Sequence, residues 1–139
     1  MNPAIPAIVV MGVAGCGKTS AAKALAARIG GRYIEGDAFH PAANVEKMSR
    51  GIALTDADRT GWLDSLATEL QRIVTLGERP VLACSALKRC YRDRLRSAVP
   101  SLGFVFLDIP RQQALARIAS RAGHFMPTSL VDSQFAALE

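Results

Sequence analysis

Residues 12–19 read Gly-Val-Ala-Gly-Cys-Gly-Lys-Thr and match G-x-x-x-x-G-K-[ST] at every fixed position. This motif constrains the fold because its chemistry works only between a strand and a helix. Ala7-Ile8-Val9-Val10-Met11 before it is a short apolar run of the kind found in buried parallel strands. Lys18–Ile29 after it repeats Ala22, Leu25, Ala26 and Ile29 at helical spacing, and Gly30-Gly31 stops the helix. Gly12, Gly15 and Gly17 let the backbone curl so that several N–H groups point inward, and the helix N-terminus adds partial positive charge. The loop Gly12, Val13, Ala14, Gly15, Cys16, Gly17, Lys18, Thr19, with Ser20 beyond it, is thus a cradle for the phosphates of a nucleoside triphosphate such as ATP. Lys18 is placed to reach the β- and γ-phosphates, and the Thr19 hydroxyl to ligate Mg²⁺.

Three further apolar runs read as strands: Arg32–Glu35, Pro80–Cys84 and Gly103–Leu107. Helical patterns separate them at Thr60–Leu76, Ala86–Ala98 and Pro110–Arg121, with a last one at Ser129–Leu138 that opens on the capping pattern Ser129-x-x-Asp132. Strands alternating with helices predict a parallel sheet with helices on both faces, a three-layer α/β/α domain. The 139 residues suffice for one such domain, 1–139. The stretch between strands two and three is long, and its polar, turn-rich first half, residues 37–60, reads as an inserted substrate-binding region. A second polar stretch, 121–128, contains Gly123 and Pro127 and reads as a lid. A four-stranded sheet of this type leaves an edge beside its last strand, and the sequence stops in a helical pattern at Ala136-Ala137-Leu138-Glu139. A final strand and helix are therefore expected beyond it, the alternatives being closure with four strands or a partner over the edge.

The net charge of +5 favours anionic partners. The basic residues are scattered, and one Trp, two Tyr and five Phe leave little for stacking on bases, so nucleic acid is not the expected partner. Three cysteines, Cys16, Cys84 and Cys90, have no metal spacing and fit a reducing, cytosolic setting. The N-terminus has no basic n-region, and its apolar stretch is used by the first strand, so neither a signal peptide nor a membrane span is expected.

Ligands of open parallel sheets bind beyond the carboxyl ends of the strands. Asp37, directly after strand two, is placed there and can accept a hydroxyl proton or hold a metal-bound water. Glu35 is the weaker choice, because alternation points it to the other face. His40 can hydrogen-bond a polyol or a carboxylate, and Arg59, after the cluster Asp56-x-Asp58, can clamp a carboxylate. Strand three carries no acid at its end, so metal ligation falls to Thr19, waters and Asp37. Lys88 and Arg92, four apart, can converge on one anion. Arg117 and Arg121 are also four apart, and Arg121 borders the lid, where a cation would neutralise charge on transferring phosphates. His124-Phe125-Met126 adds one polar and two apolar groups able to close over a ligand.

Beyond the loop, four segments carry a family resemblance. They are Gly36-Asp37-x-x-His40-Pro41-x-x-Asn44-x-x-Lys47-Met48; Gly51-x-x-Leu54-x-Asp56-x-Asp58-Arg59-x-x-Trp62-Leu63; Ala83-Cys84-Ser85-Ala86-Leu87-Lys88-x-x-Tyr91-Arg92-Asp93; and Arg121-x-Gly123-His124-Phe125-Met126-Pro127 with Ser133-Gln134-Phe135. With the phosphate loop they resemble the small gluconate kinases, which have a P-loop kinase fold like that of nucleoside-monophosphate kinases. The resemblance covers nearly the whole chain. It implies ATP- and Mg²⁺-dependent phosphorylation of D-gluconate to 6-phosphogluconate by a cytoplasmic homodimer, with Lys18, Asp37 and Arg121 at the reaction and Asp37, His40, Lys47, Arg59, Lys88, Arg92 and His124 around the sugar acid. Family members continue about thirty residues further. Shikimate-type or nucleotide kinases of the same fold stay open as alternatives, as does a fragment that binds nucleotide without turnover. A guanine-nucleotide switch is disfavoured by the lack of an Asn-Lys-x-Asp element.

Overall fold

The computed structural model describes residues 5–119 and 128–139. Four strands, β1 (Ile8–Met11), β2 (Arg32–Glu35), β3 (Pro80–Ala83) and β4 (Gly103–Phe106), form one parallel sheet in the order β2-β3-β1-β4. The helices are α1 (Lys18–Ile29), α2 (Ala42–Ser49), α3 (Asp56–Thr75), α4 (Arg89–Ala98), α5 (Arg111–Ala119) and α6 (Thr128–Ala137), with a single 3₁₀ turn at Gly36–Phe39.

Alternation along the strands divides the core. Val9, Met11, Ile34, Leu82 and Cys84 face one way and pack on Trp62, Leu63, Leu66, Leu70 and Ile73 of α3 and on Tyr91 and Leu95 of α4. Val10, Val81 and Ala83, with Tyr33 beside them, face the other way against Ala22 and Ala26 of α1. These are the expected two helical layers. A third cluster of Val13, Cys16, Leu87, Ile109, Ala114, Ile118 and Val131 backs the phosphate loop with α5 and α6. At the sheet edge, Val105 and Phe106 of β4 are exposed.

All four expected strands form, within one residue of their expected ends. The helix expected from Ala86 starts at Arg89, because Ala86 takes a left-handed backbone, φ 44°, that no right-handed helix contains. The expected helix from Thr60 begins earlier, at Asp56. Thr55 Oγ1 accepts from the Asp58 N–H at 3.1 Å, and the Asp58 carboxylate accepts from the Thr55 N–H at 2.9 Å, a reciprocal cap. At α6, Asp132 pairs with Arg111 at 2.5 Å, which ties α6 to α5. The polar segment after β2 is not coil: it holds the 3₁₀ turn and α2.

The cap at α3 sets where Arg59 enters the site. Lys47 donates to Asp58 at 2.7 Å, and this bond, followed by the Thr55 N–H, holds the Asp58 carboxyl down at about 2. A carboxyl lowered by folding supports the fold above its ordinary value near 3.8, and that support fades as pH falls towards about 2. Thr55→Ala is expected to cost about 1 kcal/mol of stability. Urea unfolding should show a lower midpoint with an unchanged slope, and an unchanged midpoint would contradict the cap's role.

Candidate active site

The turn from β1 into α1 is built from backbone. Gly15 has φ 83°, and a Cβ there would lie 2.6 Å from the Ala114 carbonyl oxygen of α5, so no side chain fits. Gly17 has φ 94°, with the Arg117 guanidinium 3.2 Å from where its Cβ would be. Arg117 also approaches the Gly15 carbonyl at 3.5 Å. The Gly12 N–H donates to the Ser85 carbonyl at 3.3 Å, tying the loop to the exit of β3. Val13 and Cys16 are buried behind the loop, and Ser20 is exposed on α1 away from the cavity. Lys18 lies across the loop, its Nζ donating to the Val13 carbonyl at 3.1 Å.

A cavity of about 380 Å³ opens over this loop. Its wall includes Ala14, Gly15, Gly17, Lys18 and Thr19, and also Glu35, Asp37, His40, Arg59 and Trp62. Val45, Met48 and Leu54 give it an apolar side, and Ser133 and Gln134 of α6 complete it near the loop. The volume suits a small polar ligand beside a phosphate chain.

Glu35 is the main correction to the sequence reading. Alternation does point it away from Ile34, but the face it joins belongs to α1, whose first turn is the phosphate loop. The Thr19 hydroxyl donates to the Glu35 carboxylate at 2.7 Å, and the Tyr33 hydroxyl donates to the same oxygen. Burial and that carboxylate push the Tyr33 hydroxyl up to about 12, so it stays a donor. The acid missing from the end of β3 is thus matched by one at the end of β2. Gln134 has a role that its place in the sequence does not reveal: its Oε1 accepts from the Ala14 N–H of the loop at 2.6 Å.

The cations separate into two groups. Arg59 reaches the cavity, its Nη1 donating to the Leu54 carbonyl at 2.8 Å and to the Tyr91 hydroxyl at 3.1 Å. Nε and Nη2 make no hydrogen bond to the described residues. Lys47, Lys88 and Arg92 do not line the cavity. Lys47 is spent on Asp58 and Lys88 on Asp56, 3.0 Å away. Asp56 is itself held below its usual range, first by the Tyr91 hydroxyl and then by Lys88. Lys88 and Arg92 therefore do not converge on one anion. Arg92 turns inward and donates to the carbonyls of Ala86 at 2.8 Å, Leu87 at 3.0 Å and Glu139 at 2.9 Å. Backbone carbonyls at the strained Ala86 turn needed a donor fork, and Arg92 is within reach.

Asp37 lies exposed on the 3₁₀ turn at the cavity wall. His40 stacks on Trp62 with ring centroids 4.3 Å apart and planes at 12°. Burial pulls His40 below its ordinary value; Asp37 opposes this and Arg59 adds to it. His40 is therefore a neutral group near pH 7, and of Lys47, Arg59, Lys88 and Arg92 only Arg59 lines the cavity. Cys84 is fully enclosed, and burial drives its thiol up to about 12, so it is inert packing. Arg121, His124 and most of the expected lid lie outside the described residues.

A phosphate loop between β1 and α1, whose lysine and hydroxyl share one cavity with acids at the carboxyl end of a parallel sheet, defines a P-loop phosphotransferase of the kinase type. The AAA domain family matches residues 8–139. A gluconokinase of Gluconobacter oxydans is 52% identical over 132 residues, covering 95% of this chain and 74% of that one. The crystal structure of a gluconokinase from Sinorhizobium meliloti superposes with a TM-score of 0.87 at 47% identity, covering 99% of this chain and 77% of that one. An unliganded sugar kinase from a Janibacter species gives a TM-score of 0.92 at 47% identity, over 98% of this chain and 79% of that one. The chain belongs to the gluconokinase family.

Arg92→Ala is expected to lower stability by about 1–3 kcal/mol through the loss of charge-assisted bonds to carbonyls. Urea unfolding measures this. A variant of unchanged stability but weakened binding of an anionic ligand would restore Arg92 to the ligand-binding set.

Proposed function

We propose that this chain is a gluconokinase, transferring the γ-phosphoryl group of ATP to the terminal hydroxyl of D-gluconate to give 6-phospho-D-gluconate and ADP. The observation that carries the reading is that one cavity wall holds both the phosphate loop with Lys18 and Thr19 and the set Asp37, His40 and Arg59. An anionic polyol asks for a cation at its carboxylate and a carboxylate at its reacting hydroxyl. Arg59 serves the first need and Asp37 the second.

The bond from the hydroxyl oxygen to the γ-phosphorus forms as the bond from that phosphorus to the β,γ-bridging oxygen breaks, and the hydroxyl proton passes to Asp37. Most of the work is positioning and charge neutralisation. Lys18 leaves the Val13 carbonyl for the β- and γ-phosphates, with Arg117 beside the loop and Arg121 as a further cation at the reaction. Thr19 and Glu35 fit Mg²⁺: a hydroxyl and a carboxylate 2.7 Å apart at the start of α1 are hard oxygen donors. Mg²⁺ beside a nucleotide takes one or two protein side chains, the rest of its shell being phosphate and water. When bound, Mg²⁺ neutralises charge on the transferring phosphates.

Residues 37–60 act as the sugar-acid side of a single domain. His124 and the rest of 121–128 act as its lid, with Lys47 and Lys88 supporting the acceptor side through Asp58 and Asp56. A homodimer in the cytoplasm agrees with the family resemblance, and no helix among the described residues is long and apolar enough to cross a membrane.

The test is an acceptor screen with ATP: gluconate against shikimate and nucleoside monophosphates. Gluconate turnover is expected, and phosphorylation of another acceptor in its place would reassign the substrate. Lys18→Ala should lower kcat by a factor of about 10²–10⁴ through lost stabilisation of the transferring phosphoryl group; near-normal turnover would remove Lys18 from the mechanism. Asp37→Asn should abolish most transfer while nucleotide titration shows ATP binding little changed. Equal loss of both would mean that Asp37 serves metal and nucleotide instead.

A further inference from the structure

Asn44 is the buried polar side chain among the described residues, only 3% exposed, and the mechanism above gives it no task. It lies on α2 and reaches two partners. Its Nδ2 is 2.9 Å from the Asp58 carbonyl oxygen and 3.2 Å from His40 Nδ1. A carbonyl only accepts, so the amide nitrogen, not the amide oxygen, must face Asp58. That nitrogen only donates, so His40 Nδ1 must be the acceptor and carries no proton. A neutral imidazole with a bare Nδ1 holds its hydrogen on Nε2.

The ring plane is fixed as firmly as the tautomer. His40 stacks on Trp62, and the Trp62 indole N–H donates to the Gly36 carbonyl at 2.8 Å, which anchors the platform to the end of β2. Protonation would set an Nδ1–H against the Asn44 amide hydrogens. Nε2 makes no hydrogen bond to the described residues, and no enclosed side-chain nitrogen or oxygen among them lacks a partner, so Nε2 opens to space. The space that His40 lines is the cavity it shares with Asp37 and Arg59.

We infer that Asn44 is a positioning residue that locks His40 as the Nε2–H tautomer, making the ring a neutral hydrogen-bond donor to an oxygen of the sugar acid. This deepens the gluconokinase reading and rests on it for the identity of the acceptor. It divides the work among three neighbours: Arg59 supplies charge, Asp37 takes the proton, and His40 supplies one directed N–H. It also excludes His40 as general base, because its one free nitrogen already bears hydrogen.

The chain contains two histidines, so the imidazoles of the ¹⁵N-labelled protein give two resolvable spin systems. His40→Gln identifies its own by disappearance. Long-range ¹H–¹⁵N correlation near neutral pH should show His40 with a bare Nδ1 and a protonated Nε2. An Nδ1–H tautomer, a fast mixture or an imidazolium overturns the lock without any variant being needed. Asn44→Ala should convert the signal to a mixture and raise KM for gluconate about tenfold, with KM for ATP within about twofold. An unchanged tautomer and KM in a folded Asn44→Ala protein also overturns the proposal. Gluconate turnover by the unaltered chain tests the family reading separately. An Nε2–H spectrum without turnover sinks that reading and leaves the lock standing, and turnover with an Nδ1–H spectrum does the reverse.

Discussion

The parallel pairing of β2, β3 and β1 is the constraint from which the site follows. The registers Glu35↔Ala83 and Val10↔Ala83 bring the carboxyl ends of the three strands level. Every segment leaving those ends emerges on one edge: the phosphate loop, the turn carrying Asp37, and Ser85 with the strained Ala86. Crossover helices then return on both faces and leave that edge open to a ligand. The loop glycines, the Glu35–Thr19 bond and the Gly12–Ser85 bond are consequences of three chain exits crowded together.

Charge in this region is mostly consumed by the protein. Lys47, Lys88 and Arg92 neutralise Asp58 and Asp56 or satisfy carbonyls, and each such bond shapes the frame around the cavity without entering it. The Lys47–Asp58 and Lys88–Asp56 surface pairs add little stability individually. Their effect is to direct Arg59: with Asp56 occupied by Lys88 and Tyr91, Arg59 is held by the Leu54 carbonyl and the Tyr91 hydroxyl, and its guanidinium stays at the cavity. A fork already ordered by two neutral acceptors would lose less entropy on clamping a carboxylate, the role proposed for Arg59.

The sheet, α1 and the phosphate loop were legible because each is encoded locally, in apolar runs, helical period and fixed glycines. The elements around the acceptor were not, for reasons that differ. The α2 helix carries Asn44 as its buried residue, so its inward face is polar and hydrophobic periodicity is silent. Glu35 alternates as expected, yet which strand face looks towards the phosphate loop depends on the side on which α1 packs, a tertiary fact. The start of α3 was readable in principle, since Thr55-x-x-Asp58 is a capping pattern, but the apolar period that marks helices begins only after it. Arg92 is the limit of charge patterning: spacing puts it on a face with Lys88, and nothing in spacing separates an anion in solution from a carbonyl in a strained turn.

The two halves of the site are therefore held by different physics. The donor half is backbone: amides and glycines hold phosphate whatever side chains surround them, which is why the same eight-residue pattern serves many unrelated acceptors. The acceptor half is a chain of side-chain hydrogen bonds and stacked rings in which each group is satisfied by the next, from Gly36 to Trp62, to His40 by stacking, to Asn44 and to the carbonyl of Asp58. Removing one member leaves its neighbour without its partner, a cost no backbone cradle incurs. If the acceptor side is as proposed, specificity for a polyhydroxy acid rests on that network, and changes of acceptor map to residues 36–62 and to Tyr91 behind Arg59, while the phosphate loop stays as it is.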